Sequence, residues 1–366
     1  LIPVIGISVF PKSEKPQFLV NINTPLGTNL KVTNQAVKFV EKELASHENV
    51  LNYASNVGKD NPRIYYNLLP RGGTSSNFAQ VFVQLQEETE VPERTTLINE
   101  LRERFKTYPG AKIQVKEFEQ GPPVAAPLAI RVFGDNIDSL RSISTRIENL
   151  YKETEGTIYI ENPAREVNTD LRVNINKDKA GMLGIPLSEV DKTIRMAISG
   201  LDISSYRAAN GDEFDINIGI ETKEKPTLEI FDKIYVAAAN GAQIPLAQLA
   251  TVSFESSPNF INHYNRERNT IVSAFVADGF LAPAVLAEFE KKLTTLEISN
   301  GYRFQISGEA ERQAETFGGL GNIIIITIFG ILAILILEFR TFKSSFIVLS
   351  VIPLGIIGAV GILFSD

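Results

Sequence analysis

The sequence has 366 residues and a formal net charge of −7, which argues against a nucleic-acid-binding protein. It contains no cysteine, so disulfides, iron–sulfur clusters and thiol nucleophiles are excluded. The length allows about two or three domains. The opening stretch LIPVIGISVFP has neither the basic region nor the cleavage pattern of a signal peptide, and residues 1–15 are predicted to be the end of a preceding membrane segment and a linker.

The first predicted domain spans residues 16–120 and alternates strands with amphipathic helices. Alternating apolar and polar residues predict strands at 17–24, 50–57, 79–86 and 112–118. Apolar residues at helical spacing predict one helix after a cap at Thr28 or Asn29, and a second helix that starts at Pro92. The resulting order, β-α-β-β-α-β, is that of the split βαβ or ferredoxin-like fold.

The same pattern begins again near residue 125 but is interrupted. Its first part is predicted as strand 128–133, helix 136–152 and strand 157–161, and its second part as strand 270–277, helix 283–297 and strand 302–307. Similar turn chemistry, Gly-Thr-Asn-Leu at 27–30 and Gly-Asp-Asn-Ile at 134–137, opens the corresponding helices and indicates an internal repeat. We therefore predict a second ferredoxin-like domain from 125–164 plus 268–309.

Residues 165–267 are predicted to form an inserted α+β domain. Its strands are expected at 170–176, 214–220, 233–238 and 252–255. Ser188 is expected to cap a short helix that ends near Ser199, with Glu189 and Asp191 in the first turn, where negative charge is favourable.

Two apolar runs close the sequence, at 317–337 and 344–364. Neither contains a charged residue, and each is long enough to cross a bilayer as a helix. Arg340 and Lys343 in the connecting hairpin favour a cytoplasmic loop, so residues 1–316 are expected on the opposite side of the membrane. We expect a piece of a larger membrane protein. Because the runs lack ionisable groups, this piece is not expected to transport by itself.

Several stretches resemble the resistance-nodulation-division (RND) efflux permeases of the amphiphile-exporting, AcrB-like type. They are KDKAGMLGIPLSEVDKTI followed by GDEFDINI within 170–218, NGAQIPLAQLATVSFESSPNFINHYNRERNTIVSAF at 240–275, GEAERQ at 308–313 and SFIVLSVIPLGIIGAVGIL at 345–363. Together they cover essentially the whole chain. The chain looks like the second periplasmic loop of such a permease, in its C-terminal half, followed by two membrane helices.

The resemblance implies that the two ferredoxin-like domains are porter subdomains and that the insert is a docking, or funnel, domain. It also implies a homotrimeric, multi-pass protein of the bacterial inner membrane, with residues 1–316 in the periplasm. Such permeases work with a periplasmic adaptor (membrane fusion) protein and an outer-membrane channel. The implied activity is proton-driven antiport that exports amphiphilic or hydrophobic compounds, such as drugs and detergents, by alternating access, without a cofactor.

The cleft between the two porter subdomains is the predicted substrate site. A pocket for amphiphiles is apolar and aromatic with few polar anchors, and the chain holds 22 Phe and 10 Tyr. By the resemblance, Phe82 matches a pocket phenylalanine, and Tyr53 and Phe118 are expected to face the same cleft. Tyr65 and Tyr66 lie in residues 58–73, which resemble the switch loop of the family. The alternative for all five rings is ordinary packing of sheet against helix.

Two other functions remain as alternatives: a heavy-metal exporter of the same family, and a membrane-anchored periplasmic interaction module without transport. Soft-metal sites rely on Met and Cys, yet the sequence has only Met182 and Met196, and His47 and His263 lie far apart in the predicted plan. No metal site is therefore predicted. No hydrolase, zinc-protease or nucleotide-binding motif is present, so an enzyme is not expected. A pump, unlike an interaction module, needs ligand access between the porter subdomains.

Overall fold

The structure is a computed structural model that describes residues 12–121, 123–219 and 228–351, together with Leu354, Gly355 and Ile357. The chain is a mixed α+β protein that divides into two compact units. The larger unit combines the chain up to Val167 with the chain from Pro258 onward, and the inserted unit is Asn168–Ser257. The larger unit contains two sheets, each with its own helices.

The first sheet and its helices form the N-terminal module, whose elements follow the predicted order. They are β1 (Gln17–Asn23), α1 (Leu30–Leu44), β2 (Val50–Val57), β3 (Phe78–Leu85), α2 (Val91–Lys106) and β4 (Lys112–Glu117). The strands form one antiparallel sheet in the order β2-β3-β1-β4. The prediction of a cap at Asn29 is confirmed, because its side chain accepts a hydrogen bond from the backbone N–H of Lys31.

Both helices of this module cover the same face of the sheet. Phe18 and Val20 of β1, Ile113 and Val115 of β4, and Phe105 of α2 are buried together in its core. Side chains alternate along a strand, so the residues between them point to the other face. We call that other face the outer face. It carries Leu19, Asn21, Gln80, Phe82, Gln114 and Lys116.

The chain continues with the first part of the split module and then with the inserted unit. The split module begins with β5 (Leu128–Phe133), α3 (Ile137–Lys152) and β6 (Thr157–Glu161). The next elements are β7 (Val167–Ile175), α4 (Lys177–Met182), α5 (Leu187–Ile198), β8 (Leu201–Arg207), β9 (Glu213–Ile218), β10 (Tyr235–Ala237), β11 (Gln243–Pro245), α6 (Leu246–Leu249) and β12 (Ala250–Pro258). Strands β7 and β12, β8 and β9, and β10 and β11 form two-stranded sheets. The predicted cap at Ser188 is wrong, because α5 begins after Pro186, whose extended backbone precedes the first turn.

The split module is completed after the inserted unit. Its remaining elements are β13 (Asn262–Tyr264), β14 (Glu267–Val276), α7 (Ala282–Leu293) and β15 (Arg303–Gly308). The sheet order is β13-β14-β5-β15, and β6 also pairs with β14, so both parts of the module share one sheet. In the core of this module the ring of Tyr151 stacks on Phe289 with the centroids 4.0 Å apart.

Three helices follow: α8 (Glu309–Phe317), α9 (Leu320–Phe339) and α10 (Phe342–Leu349). Among the described residues, one helical stretch, Glu309–Phe339, is long and apolar enough to cross a membrane by length and composition, and it contains the first predicted span. Arg340, in a left-handed conformation with φ 53°, ends α9. Helix α10 covers the start of the second predicted span, most of whose remainder lies outside the described residues.

Candidate functional site

A cavity of about 390 Å³ lies over the outer face of the N-terminal module, and we call it the outer-face cavity. Side chains of β1, β3 and β4 form its floor, residues 67–71 of the loop cover one side, and β6 and β14 of the split module close another. Its apolar lining includes Leu19, Leu68, Pro70, Phe118, Ile158 and Phe275. Apolar walls with a few converging polar groups are typical of pockets for small molecules.

Three of the five aromatic residues predicted to bind substrate lie together. Phe118, which is 2% exposed, follows β4 and lines the cavity. Its ring stacks on Tyr65 at 4.8 Å between centroids, and Tyr65 in turn contacts Tyr66 at the same distance. The hydroxyl of Tyr66 accepts a hydrogen bond of 2.8 Å from the backbone N–H of Gly121. The three rings thus fasten the loop 58–73 to the chain that leaves β4.

The other two predicted residues lie apart from this cluster and from each other. Phe82 is half-buried on the outer face, where it pairs with Leu19 of β1. It is not among the described residues that line the cavity. Tyr53 pairs with Val83, a core residue, so the register places Tyr53 on the helix side of the sheet. It is 38% exposed on the edge strand β2. Tyr53 and Phe82 therefore do not face the same space.

Lys116 is a cavity residue that the sequence analysis did not single out. Its side chain is 20% exposed, its Nζ lies 4.1 Å from the centroid of the Phe275 ring, and the nearest carboxylate oxygen, of Glu161, is 4.0 Å away. Burial lowers the pKa of Lys116; the charge of Glu161 acts in the opposite direction, and the charge of Arg71 lowers the pKa further. Arg71 lines the same cavity.

A cluster of charged groups joins the two modules at the edge of the cavity. The guanidinium of Arg102, on α2, lies 2.6 Å from the carboxylate of Asp278 and 3.2 Å from that of Glu117, and Lys12 contacts both carboxylates. Asp278 belongs to the split module. Burial alone would raise the pKa of Asp278, but the hydrogen bonds and charges of Lys12 and Arg102 outweigh it and lower that pKa. Asp278 is therefore ionised at neutral pH.

Tyr159, on β6, makes a further contact between the modules. Its φ of 52° lies in the left-handed region, which a tyrosine rarely adopts. Its hydroxyl accepts a hydrogen bond of 3.0 Å from the backbone N–H of Val115, while Gln114 donates one of 3.0 Å to Glu161. Burial raises the pKa of Tyr159, which keeps the hydroxyl protonated. The residue with the strained backbone, Tyr159, is thus also the one whose side chain contacts β4 of the other module.

A second cavity, of about 580 Å³, adjoins the first and is lined by Glu119 and Glu309. Burial raises the pKa of Glu119, and the charge of Glu309 raises it further. Burial also raises the pKa of Glu309, although a hydrogen bond from Gln313 opposes this. The charge of Glu309 thus disfavours the ionised form of Glu119.

The described residues hold no group of three His, Cys, Asp or Glu side chains arranged to bind a metal ion. Met182 and Met196 both lie in the inserted unit, and Met182 is 80% exposed. His47 and His263 are outside the lining of the two cavities described above. Among the carboxylates that line the two cavities, those of Glu117 and Asp278 are paired with both Lys12 and Arg102.

Comparison with known proteins identifies the family. The sequence matches the AcrB/AcrD/AcrF family over residues 1–364. It is 20% identical over 293 residues to multidrug resistance protein MdtC of Proteus mirabilis, covering 79% of this chain and 28% of that protein. It is 22% identical over 310 residues to the cobalt-zinc-cadmium resistance protein CzcA of Cupriavidus metallidurans, covering 78% and 28%.

A crystal structure of a heavy metal efflux pump has the same fold, with a TM-score of 0.77 at 18% identity, over 92% of this chain and 35% of that one. The chain thus spans about a third or less of the length of the proteins it matches. One of these relatives is named for multidrug resistance and the other for cobalt-zinc-cadmium resistance, so the family does not by itself identify the substrate. Because the family match covers nearly every residue, the chain belongs to the AcrB/AcrD/AcrF family of AcrB-like RND efflux permeases.

Proposed function

We propose that the chain is the periplasmic porter part of a proton-driven RND permease that exports amphiphilic or hydrophobic compounds by alternating access. The outer-face cavity carries this proposal, because its lining combines apolar, aromatic and charged side chains from both modules. A ligand in it would touch the N-terminal and the split module at once. Its affinity would therefore depend on their separation, which is the condition for a ligand to shift an open–closed equilibrium.

The separate cores of the modules support rigid-body movement. The buried cluster of the N-terminal module and that of the split module share no residue. Polar contacts between them join Arg102 with Asp278, Tyr159 with Val115, and Gln114 with Glu161. Polar groups regain hydrogen bonds to water when a cleft opens, so separation would cost far less than splitting an apolar core.

The remaining parts of the proposal follow the family. The strand order β2-β3-β1-β4 and the order β-α-β-β-α-β support ferredoxin-like porter subdomains for both modules. We assign the inserted unit to the docking, or funnel, domain and the apolar helices to a membrane hairpin. The whole permease would be a homotrimer of the bacterial inner membrane with residues 1–316 in the periplasm. It would act with a periplasmic adaptor and an outer-membrane channel to export drugs and detergents.

Metal export is the second candidate, because CzcA is among the relatives by name. The ligand chemistry of this chain favours amphiphiles instead. Soft metal ions prefer sulfur, and this sequence has no Cys and two Met, both in the inserted unit. Two of the carboxylates at the cavities, those of Glu117 and Asp278, are already held by Lys12 and Arg102.

The test uses the full-length permease in cells that lack their own efflux pumps. We expect it to raise tolerance of bulky aromatic drugs and detergents but not of zinc, cobalt or cadmium salts. Phe118→Ala should reduce drug tolerance by about three- to tenfold, since a stacked aromatic contact contributes about 0.5–1.5 kcal/mol. Phe82→Ala should have a smaller effect that is greatest for bulky drugs, and Tyr53→Ala, at the same protein level in the membrane, should have little.

Tolerance of metal salts alone would contradict the proposal and support the second candidate. A drug profile that Phe118→Ala leaves unchanged would remove the outer-face cavity from the transport path, and one that Phe82→Ala leaves unchanged would count against a substrate role for Phe82.

A further inference from the structure

We propose that the outer-face cavity selects amphiphiles with an anionic head group, a carboxylate or a sulfonate, which Lys116 and Arg71 bind. This inference rests on the proposed function, since it names the substrate class of the same cavity. Its basis is a positive charge in a cavity of mixed apolar and polar lining, whose nearest carboxylate oxygen is 4.0 Å away.

Lys116 is the first of the two cations. An ammonium group removed from water is costly unless an anion or hydrogen-bond acceptors replace the water. The Phe275 ring at 4.1 Å supplies a partial substitute. Glu161 lies 4.0 Å away, beyond hydrogen-bonding distance, and one of its oxygens already accepts a hydrogen bond from Gln114. Within the described residues no acceptor lies within hydrogen-bonding distance of the Nζ of Lys116, so its N–H groups are available to a ligand.

Arg71 is the second cation, on the loop that covers the cavity. Its guanidinium lies 4.1 Å from the centroid of the Phe78 ring and donates a hydrogen bond of 3.0 Å to the side chain of Asn23. No ion pair of this guanidinium occurs in the described parts of the chain. The carboxylate of Asp60 accepts instead from the backbone N–H of Arg71, at 2.6 Å. A planar guanidinium suits the two oxygens of a carboxylate or sulfonate.

None of the acidic residues that line the cavity lies closer than 4.0 Å to the charged nitrogens of Lys116 or Arg71. Glu117 is engaged by Arg102 at 3.2 Å and by Lys12 at 2.5 Å. Burial raises the pKa of Glu119, which disfavours its negative form. The other carboxylates of the lining are those of Glu161, 4.0 Å from the Nζ of Lys116, and Asp60, which binds the backbone N–H of Arg71. Neither makes a close ion pair with the two cations.

The rest of the lining fits the tail of such a molecule. Leu19, Phe118 and Ile158 line the same space as Lys116. An anionic head at Lys116 would place the tail over these side chains, where burial of apolar area adds affinity. The anion would also favour the charged form of Lys116, whose pKa burial lowers. A bound anion would thus replace the water that burial removes from the ammonium group of Lys116.

The experiment compares three amphiphiles with one tail and different heads: decanoate, decyltrimethylammonium and decyl maltoside. Growth inhibition is measured in pump-deficient cells that carry the full-length permease. Lys116→Met should lower tolerance of decanoate about tenfold, as expected for loss of one charge-assisted contact, and change tolerance of the other two by less than about twofold. Lys116→Arg should restore decanoate tolerance. Lys112→Met, at an exposed position of the same strand, is the matched control and should behave as the wild type.

Each outcome either supports or contradicts the selectivity of the cavity for anionic head groups. Equal loss for all three heads, or no loss for decanoate, would overturn the anionic selectivity while leaving amphiphile export intact. A wild-type permease that protects against none of the three amphiphiles would instead contradict the proposed function. Arg71→Gln, on the exposed loop, gives an independent reading if Lys116→Met fails to accumulate. A loss confined to decanoate supports the proposal, and an unchanged or uniform profile contradicts it.

Discussion

The two modules of the larger unit share a topology but differ in what covers the outer faces of their sheets. Strands β6, β14, β5 and β15 of the split module lie in the same order as β2, β3, β1 and β4 of the N-terminal module. On the split module, Arg131 is buried beneath the ring of Tyr264 and pairs with Glu311 of α8 at 3.2 Å. On the N-terminal module, Lys116 lies in a cavity 4.0 Å from the nearest carboxylate oxygen.

The two sheets have the same topology, so topology does not decide whether an outer face is closed or can bind a ligand. The contrast indicates that the partner of the buried cation on that face decides it. Arg131 is compensated from within the chain, so its face is closed by α8, which leads into the apolar helix α9. Lys116 has an aromatic ring at 4.1 Å and its nearest carboxylate oxygen at 4.0 Å, so its N–H groups remain available for a ligand. Replacing each cation by Met should therefore change stability in opposite directions.

The largest effect is expected from Arg131→Met in the full-length permease. The change leaves Glu311 partly buried without its cation, which should lower the free energy of unfolding of this unit by about 2–3 kcal/mol. The urea dependence of proteolytic cleavage within the unit measures this loss. Arg312→Met is the control, because its pair with Glu315 is exposed and should contribute less than about 1 kcal/mol.

The double variant Arg131→Met with Glu311→Met sharpens the test. Removing both charges abolishes the orphaned carboxylate, so part of the lost stability should return. If the double variant is as unstable as the sum of its single changes, the pair is not coupled and the contrast between the faces loses its basis.

The next largest effect is expected from Tyr159→Phe, which removes one contact between the modules. The N–H of Val115 would lose its acceptor at a buried position, at a cost of about 1–2 kcal/mol. Faster hydrogen exchange in β4 of the permease should report the loss directly. Tyr206→Phe, at an exposed position of the inserted unit, should leave exchange in β4 unchanged. Unaltered exchange in β4 of Tyr159→Phe would show that this contact does not hold the modules together.

Much of the fold could be predicted because local patterns determine it. The strands predicted at 128–133 and 157–161 coincide with β5 and β6, since alternation and flanking turns mark both ends. The start of α5 was misplaced, because Ser188 is a strong cap by type whereas Pro186 supplies the extended residue before the first turn. Capping depends on backbone conformation, which residue type indicates only in part.

The cavity was less predictable because it depends on register and on strands distant in sequence. Tyr53 was expected to face the cleft, but pairing with Val83 puts it on the helix side, and no local signal gives that register. The alternation in KIQVKEF does place Lys116 opposite the core residues of β4, a signal that was available. That Phe275 and Glu161 would be its neighbours could not be seen, since they come from the split module.

A smaller effect, of opposite sign, is expected from Lys116→Met. Replacing a desolvated cation that lacks a close partner by an apolar side chain of similar length should leave stability unchanged or raise it by up to about 1 kcal/mol. The same proteolysis measurement applies, with Lys112→Met as the exposed control. A loss comparable to that of Arg131→Met would show that Lys116 is compensated within the chain, and the two outer faces would then be alike.

The smallest effect is expected from Glu119→Gln, and it depends on pH. Burial and the charge of Glu309 raise the pKa of Glu119 above its usual value of 4.5, while Lys12 acts in the opposite direction. A carboxyl group whose folded pKa is raised favours folding fully below the unfolded pKa, and this contribution is lost as the pH rises through the folded pKa. Glu119→Gln should therefore be more stable than the wild type at neutral pH, and the two stabilities should become equal near pH 4. The control is Glu315→Gln, on the exposed part of α8, whose stability should change with pH as that of the wild type does. If the stability of Glu119→Gln and of the wild type changes with pH in the same way, the surroundings of Glu119 already accommodate its charge. Lys116 would then be the main uncompensated group beside the cavity.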